Sequence, residues 1–239
     1  MALLLLIDDE PALVRALGIG LRARGYQLAT ARDGASGLAE AVRQRPDVVI
    51  LDLGLPDLDG VEVCRRIRGF SPVPILVLSA HGEEERKICA LDAGADDFVT
   101  KPFSMAELEA RLRVALRHGH AGGLSRGDPV IRIGDLQLDL SGHTAAIAGA
   151  QLQLTATEYA MLAYLARHQG RIVTHQVLLQ HVWGGRYGAD AHYLRVYANR
   201  LRRKFGPAHG RLLRTHHGVG YELSAEGSLP TAGEPATPV

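Results

Sequence analysis

Three carboxylates fall where two short apolar runs stop. The run Leu3–Ile7 is closed by Asp8-Asp9, and Asp47-Val-Val-Ile-Leu ends on Asp52. If both runs are buried parallel strands, their carboxyl ends lie side by side, at the edge where open α/β sheets bind ligands. Clustered oxygen anions are costly unless a hard divalent cation neutralises them, and Mg2+ is the ion usually held by a few carboxylates with a phosphate as co-ligand. Two further apolar runs end near a hydroxyl, Ser79, and an ammonium, Lys101 in Thr-Lys-Pro-Phe. An aspartate can form an acyl phosphate when a metal and a cation offset the charge of the transferring phosphoryl group. One such residue is an ordinary strand end, but the whole set at equivalent ends of four strands points to phosphoryl chemistry.

The elements that must position these groups alternate along residues 2–117. Apolar runs near 3–7, 26–30, 47–52, 74–79 and 96–100 are each followed by a stretch of helical period, near 11–24, 34–44, 58–68, 83–93 and 104–117. This alternation implies a parallel sheet covered on both faces. The Gly-rich segment 118–128 lacks an apolar period and reads as a flexible linker between residues 1–117 and 129–223. Beyond it, Val130–Ile133, Leu136–Leu140 and Thr144–Ile147 read as short antiparallel strands. Thr155-Ala-Thr-Glu158 has the form of a capping box, opening a helix over about 156–168. Helices near 174–182 and 190–205 follow, and 212–223 reads as two strands around Gly218. Residues 224–239 read as a disordered tail.

The formal net charge of +1 hides an asymmetry. Residues 1–117 carry 15 Lys+Arg against 18 Asp+Glu, whereas 118–223 carry 12 against 6, and ten of the eleven histidines lie beyond 117. The halves therefore suit different partners. No apolar run approaches the ~20 residues of a membrane span, and the leading apolar run meets acids at once, so it reads as a strand and not as a signal peptide. Cys64 and Cys89, without metal or redox spacing, are expected to be buried thiols of a reducing, cytoplasmic compartment.

Taken together, Ile7-Asp-Asp-Glu10, Leu51-Asp-Leu-Gly-Leu-Pro-Asp-Leu-Asp-Gly60, Leu78-Ser-Ala80 and Gly94-Ala-Asp-Asp-Phe-Val-Thr-Lys-Pro-Phe103 resemble the receiver domain of two-component response regulators. The resemblance implies a flavodoxin-like (βα)5 fold and a chain that is not an enzyme in the ordinary sense. It makes Asp52 the phosphoacceptor, with Mg2+ ligated by Asp9, Asp52 and the Gly54 carbonyl and held by Asp8 through water. Ser79 and Lys101 would bind phosphoryl oxygens, and Phe98, where many relatives have Tyr, would be the aromatic switch. A sensor histidine kinase would supply the phosphoryl group. The subfamily pattern further implies a symmetric homodimer face made by Lys87, Ile88, Leu91, Asp96, Asp97, Glu107, Ala110 and Arg111.

In the second half, a helix over 190–205 places Leu194, Tyr197, Ala198, Leu201 and Phe205 on one side. The other side presents His192, Arg195, Val196, Asn199, Arg200, Arg202 and Arg203, with no acid after Asp190. Arginine reads guanine edges, asparagine reads adenine, and further arginines hold phosphates. The segment Leu154-Thr-Ala-Thr-Glu-Tyr-Ala-Met-Leu162, Trp183-Gly184, Arg200-Leu-Arg-Arg-Lys204 and Gly218-Val-Gly-Tyr221 resemble the winged helix-turn-helix effector of the OmpR/PhoB subfamily. By that pattern the helix enters the major groove of promoter DNA, the hairpin 212–223 with Arg214 and His217 lies in the minor groove, and the loop 183–191 faces RNA polymerase. Within the subfamily, Tyr187–Tyr197 resembles the Kdp-type regulators of potassium-uptake operons.

Two other functions fit parts of the chain. A haloacid-dehalogenase-like phosphotransferase would need a second Asp two residues after the nucleophile, where this chain has Gly54. A constitutive DNA-binding protein with a degenerate receiver would not need the intact acidic set. Relatives often place arginine just before the wing glycine, where His217 stands here. Histidine is the side chain type whose charge changes between about pH 5 and 8, whereas arginine is charged throughout. His217→Arg is therefore expected to tighten DNA binding at pH 7.5 and to change it little at pH 6, measured by anisotropy titration at fixed salt.

Overall fold

A computed structural model of the chain describes residues 1–80, 82, 84–120, 130–184 and 192–225. The first half alternates as its pattern requires: β1 (Leu3–Ile7), α1 (Pro11–Arg22), β2 (Gln27–Ala31), α2 (Gly34–Gln44), β3 (Val48–Asp52), α3 (Gly60–Phe70), β4 (Ile75–Ser79), α4 (Glu84–Ala93), β5 (Asp97–Thr100) and α5 (Met105–His120). The five strands are parallel in the order β2-β1-β3-β4-β5, which is the flavodoxin-like doubly wound sheet. Successive residues of a strand point to opposite faces, and here both faces are dry. Leu5, Ile7, Val49, Leu51, Ile75 and Val77 pack under α2, α3 and α4. Leu4, Leu6, Val48, Ile50, Leu76 and Leu78 pack against Leu17 and Leu21 of α1 and Leu108 and Leu112 of α5.

The β1/β3 neighbour pair makes the topological switch point, so Asp8 and Asp52 emerge side by side. Local chemistry fixes the helix starts around that edge. Asp33 caps α2 by accepting from the Ser36 amide, and the Asp57 carboxylate accepts from the Gly34 and Ala35 amides at 2.7 and 2.9 Å. Those two bonds hold the Asp57 carboxyl below its ordinary pKa. Asp59 caps α3 through the Val61 amide. The first residue of α3 must be glycine, because a Cβ on Gly60 would lie 2.5 Å from the Asp52 carbonyl oxygen and 2.6 Å from the Leu53 Cα.

The second half opens with a four-stranded antiparallel sheet, β6 (Val130–Ile133), β7 (Leu136–Asp139), β8 (Thr144–Ile147) and β9 (Ala150–Gln151). Then come α6 (Ala156–Arg167), β10 (Val173–Thr174), α7 (His175–Trp183) and α8 (His192–His209), in which Gly206 at φ 77° interrupts the helical geometry ahead of Pro207. A 3-10 turn, Gly210–Leu212, leads into β11 (Leu213–His216) and β12 (Gly220–Leu223), which with β10 form a three-stranded wing sheet. The capping box is present: the Thr155 amide donates to Glu158 at 2.8 Å and Thr155 Oγ1 accepts from the Glu158 amide. Among the described residues no helix is long and apolar enough to cross a membrane.

Several expectations need correction. Helix α5 continues to His120, so 118–120 are helical and not linker, while 121–129 lie outside the described residues. Ser224 is buried and its amide donates to the Leu212 carbonyl, so the fold extends past Leu223; residues 226–239 lie outside the described residues. Cys64 is buried, its thiol pushed up to about 11 by desolvation, but Cys89 is exposed, because its position on α4 turns away from the sheet. Gly60→Ala is expected to destabilise the receiver by about 1–3 kcal/mol, the usual cost of overpacking, read as a lower midpoint in denaturant; an unchanged midpoint would refute the close approach.

Candidate functional site

The strand ends assemble a compact charged site. Lys101 Nζ donates to Asp52 Oδ1 at 2.6 Å and to Asp8 Oδ2 at 3.1 Å. The other oxygens are also engaged: Asp52 Oδ2 accepts from the Gly54 amide at 2.6 Å and Asp8 Oδ1 from the Glu10 amide at 2.8 Å. Asp8 is fully buried. Desolvation pushes its carboxyl above its ordinary pKa, against the Glu10 amide and Lys101, and the Asp52 charge adds to the rise. Burial would lower Lys101, but the hydrogen bonds and charges of Asp52 and Asp8 outweigh it and hold the ammonium above its ordinary value. The Lys101 amide donates to the Ser79 carbonyl at 2.7 Å, which ties the β5 end to the β4 end. Ser79 Oγ is buried and has no hydrogen-bond partner among the described residues.

Asp8, Asp52, Ser79 and Lys101 thus stand together, as their positions at strand ends predict. Asp9 does not join them: it is exposed, and among the described residues no three acids, histidines or cysteines form a metal-holding group. Gly54 meets Asp52 through its amide and not its carbonyl. What the site retains is a buried carboxyl that resists its own charge and an unsatisfied hydroxyl beside an aspartate. Those groups fit a hard cation and a phosphoryl oxygen, respectively. Arg86, absent from the sequence reading, reaches across from α4 to donate to the Leu53 carbonyl at 2.9 Å and approach Asp59 at 3.4 Å. An arginine on a helix gives no sequence signal of such a reach.

In the second half, α8 has three environments and not two. Leu194, Ala198, Leu201 and Phe205 face its own core. Arg195, Asn199 and Arg203 are exposed at a spacing of four, on one stripe. Tyr193, Val196, Tyr197 and Arg200 are buried at i, i+3, i+4 and i+7, a third stripe. Val196 and Arg200 are therefore covered in this structure. Arg200, 4% exposed, donates to the Ala95 carbonyl of the first domain at 3.0 Å and lies 3.7 Å from Glu158. Arg202 is half-buried and pins the wing, donating to the Leu213 carbonyl and to Thr215 Oγ1. Between α8 and the wing lies an open cleft of about 800 Å³ lined by Arg202, Arg211, Arg214, Thr215 and His216 among others. Arg211 is exposed and was not singled out in the sequence. His217 is exposed at the wing turn. The His192 side chain and most of the loop 183–191 lie outside the described residues.

The first domain's α4–β5–α5 face meets that third stripe. Tyr197 Oη donates to the Asp96 carbonyl at 2.6 Å, within 3.3 Å of that of Ala95, and Trp183 Nε1 donates to the Asp96 carbonyl at 3.3 Å. The Phe98 and Tyr193 rings lie 4.8 Å apart. Of the expected dimer residues, Asp97 and Glu107 pair with Arg111 within the chain, Asp96 pairs with Arg68, and Lys87 stands 5.1 Å over the Phe98 ring. Lys87, Leu91, Asp96 and Asp97 are buried; Ile88, Glu107, Ala110 and Arg111 are partly buried.

Residues 4–113 match the response regulator receiver domain, and residues 149–223 match the C-terminal domain of transcriptional regulatory proteins. The chain is 48% identical over 227 residues to the transcriptional regulatory protein KdpE of Mycobacterium tuberculosis, covering 94% of this chain and 100% of that protein. The chain belongs to the OmpR/PhoB-type response regulators. It is a DNA-binding, two-component transcriptional regulator. The KDP operon transcriptional regulatory protein KdpE of Escherichia coli K12 is 43% identical to the regulator, covering 93% of this chain and 99% of that one. A solved structure of a RitR mutant shares the fold at TM-score 0.74 and 22% identity, with 94% of this chain and 100% of that one covered. Receiver domains generally bind Mg2+ at the phosphorylation site.

A carboxyl whose folded pKa is raised favours folding below its ordinary value and loses that contribution as pH rises through the folded value. Ionised Asp8 thus opposes folding at neutral pH. Asp8→Asn is expected to raise the thermal midpoint of the metal-free regulator at pH 7 by a few degrees, a shift that corresponds to about 1 kcal/mol. The gap should close as pH falls towards 4 and when Mg2+ is added to wild type. An unchanged or lower midpoint would contradict the electrostatic reading.

Proposed function

We propose that phosphorylation of Asp52 switches this regulator's binding to the promoter of a potassium-uptake, kdp-type operon. The observation that carries the reading is the Asp8–Lys101–Asp52 junction beside the unsatisfied Ser79 hydroxyl. An Asp52 oxygen would attack the phosphoryl group carried on a histidine nitrogen of a sensor kinase, forming the Oδ–P bond as the N–P bond breaks. The displaced nitrogen keeps the electron pair. Lys101, already within 2.6 Å of Asp52, moves its donors to the phosphoryl oxygens, and Ser79 donates its hydroxyl proton to one of them in a hydrogen bond. Asp8 and Asp52, with Asp9 and the Gly54 carbonyl after local rearrangement, would hold Mg2+, which when bound offsets phosphoryl charge. The regulator turns over no separate substrate.

Among the described side chains the DNA-facing set is Arg195, Asn199 and Arg203 on α8, with Arg211, Arg214 and His217 at the cleft and wing. The stripe supplies guanidinium forks and an amide to the major groove, while Arg211 and Arg214 suit phosphates. Potassium control rests on the 48% and 43% identity to proteins whose names tie them to KdpE and the KDP operon. Phosphorylated chains would pair as homodimers on tandem half-sites in the cytoplasm and recruit RNA polymerase. The test is affinity for a kdp-type promoter at fixed salt, because salt sets such affinities, with and without Mg2+ plus beryllofluoride, for wild type and Asp52→Ala. A gain of about 5- to 150-fold, the usual range of allosteric coupling, is expected in wild type alone. Tight binding that never responds would support a constitutive regulator, and absence of binding in every state would remove the kdp assignment.

A further inference from the structure

We infer that Arg86 on α4 is a positioning residue for the phosphoacceptor, acting through a single peptide unit, the one that joins Leu53 to Gly54. The N–H of that unit belongs to Gly54 and donates to Asp52 Oδ2 at 2.6 Å. Its carbonyl belongs to Leu53 and accepts from Arg86 Nη2 at 2.9 Å and from the Gly60 amide at 3.2 Å. A carbonyl oxygen has two lone pairs, and both are used here. The planar peptide is therefore gripped at both ends, by a carboxylate oxygen on one side and a guanidinium on the other. What concerns the phosphoryl group in this inference rests on the proposed phosphorylation of Asp52, whereas the clamp itself does not.

The approach is close where the peptide meets the carboxylate: a Cβ on Gly54 would stand 3.1 Å from Asp52 Oδ2. The loop that carries the peptide is itself held. The Leu53 side chain is buried, Asp57 accepts from the Gly34 and Ala35 amides of α2, and Asp59 accepts from the Val61 amide of α3. Arg86, in the first turn of α4, adds a tie to a third helix. It also stands 3.4 Å from Asp59, but the Arg86 side chain is 38% exposed and that of Asp59 58%. Exposed ion pairs contribute little. The shorter, charge-assisted bond to the Leu53 carbonyl is the contact with a consequence.

Hydrogen bonds at the two ends of an amide polarise one another. A cationic donor at the carbonyl draws electron density from the nitrogen and makes the N–H a stronger donor. Arg86 thus sends part of its charge to Asp52 through the peptide. A backbone N–H fixed in advance beside an oxygen that carries negative charge is an effective means of stabilising that charge. In this structure the Gly54 N–H holds a carboxylate oxygen, and the same donor suits a phosphoryl oxygen on Asp52. The clamp also leaves one group able to turn. The Gly54 carbonyl belongs to the next peptide unit, and glycine permits wide backbone rotation, so that carbonyl can swing towards a cation while the Gly54 N–H stays in place.

The test compares full-length wild type with Arg86→Gln, which removes the guanidinium, and with Asp59→Asn, which keeps a side-chain cap on α3 and removes the ion pair. In the metal-free regulator the Gly54 amide proton, followed by NMR, is expected to move upfield in Arg86→Gln, as a weakened donor does, and to keep its wild-type position in Asp59→Asn. With Mg2+ present, Arg86→Gln is expected to bind beryllofluoride about 10-fold more weakly, the lower end of the loss when a group that orients a ligand is removed. Its phosphorylation by acetyl phosphate, in which acetate leaves as the Asp52 Oδ–P bond forms, should slow to a similar degree. Asp59→Asn should match wild type in both. Affinities are compared below the thermal midpoint of each variant, so that lost stability does not pass for lost positioning. An unchanged mimic affinity in Arg86→Gln would overturn the positioning role, and so would an equal loss in Asp59→Asn, because the ion pair would then be the agent. A wild type that takes up no mimic, with the Gly54 resonance still displaced in Arg86→Gln, would instead remove the phosphorylation reading and leave the clamp standing.

Discussion

The Lys101 ammonium sits between Asp8 and Asp52, and much of the rest of the molecule can be followed outward from it. Parallel strands bring their carboxyl ends to one edge, and the β1/β3 switch point sets two carboxylates side by side there. Without an interposed cation that edge would repel itself. Lys101 supplies one positive charge against two negative ones, which leaves the site anionic and Asp8 resisting ionisation. A site under this constraint responds strongly to whatever adds positive charge or redistributes the lysine. That is the physical basis for reading it as a switch and not as a static strand-end cluster.

From the same lysine, contiguous contacts run to the effector. The Lys101 amide holds the Ser79 carbonyl, Phe98 precedes Lys101 on β5, the Phe98 ring meets Tyr193, and Tyr193 lies one helical turn before Tyr197 on α8. Tyr197 returns to the receiver at Ala95 and Asp96, a few residues before Phe98. The apolar core is correspondingly continuous: one buried cluster includes Leu91 and Ala95 of the receiver with Tyr193, Val196 and Tyr197 of the effector. Glu158 serves both local and long-range order, since it completes the cap of α6 while pairing with Lys204 and lying near Arg200. Helix α8 is thus tied on one side to its own domain and on another to the receiver.

What the sequence made legible follows from where the determining interactions lie. The receiver strands are short apolar runs because both faces are buried, and the Thr155–Glu158 box is local, so both could be read directly. Asp52, Ser79 and Lys101 could be placed because strand ends of a parallel sheet converge whatever the side chains are. Strands β9 and β10 were missed, since two residues carry no period. Arg200 and Val196 are covered, which a helical wheel cannot foresee: it divides a helix into core and solvent, whereas α8 has a third neighbour about a hundred residues away in the chain. Asp9 follows Asp8 past the end of β1 and is exposed, whereas Asp8 is buried.

The most direct measurement of the coupling is hydrogen exchange of the full-length regulator with and without beryllofluoride and Mg2+, followed at residues 95–98 and 193–203. Both segments are expected to change protection together when Asp52 carries the mimic, with α8 becoming less protected, and neither is expected to change in Asp52→Ala. A mimic that occupies the receiver while α8 keeps its protection would be the contradicting result, because the charged site and helix α8 would then be physically uncoupled.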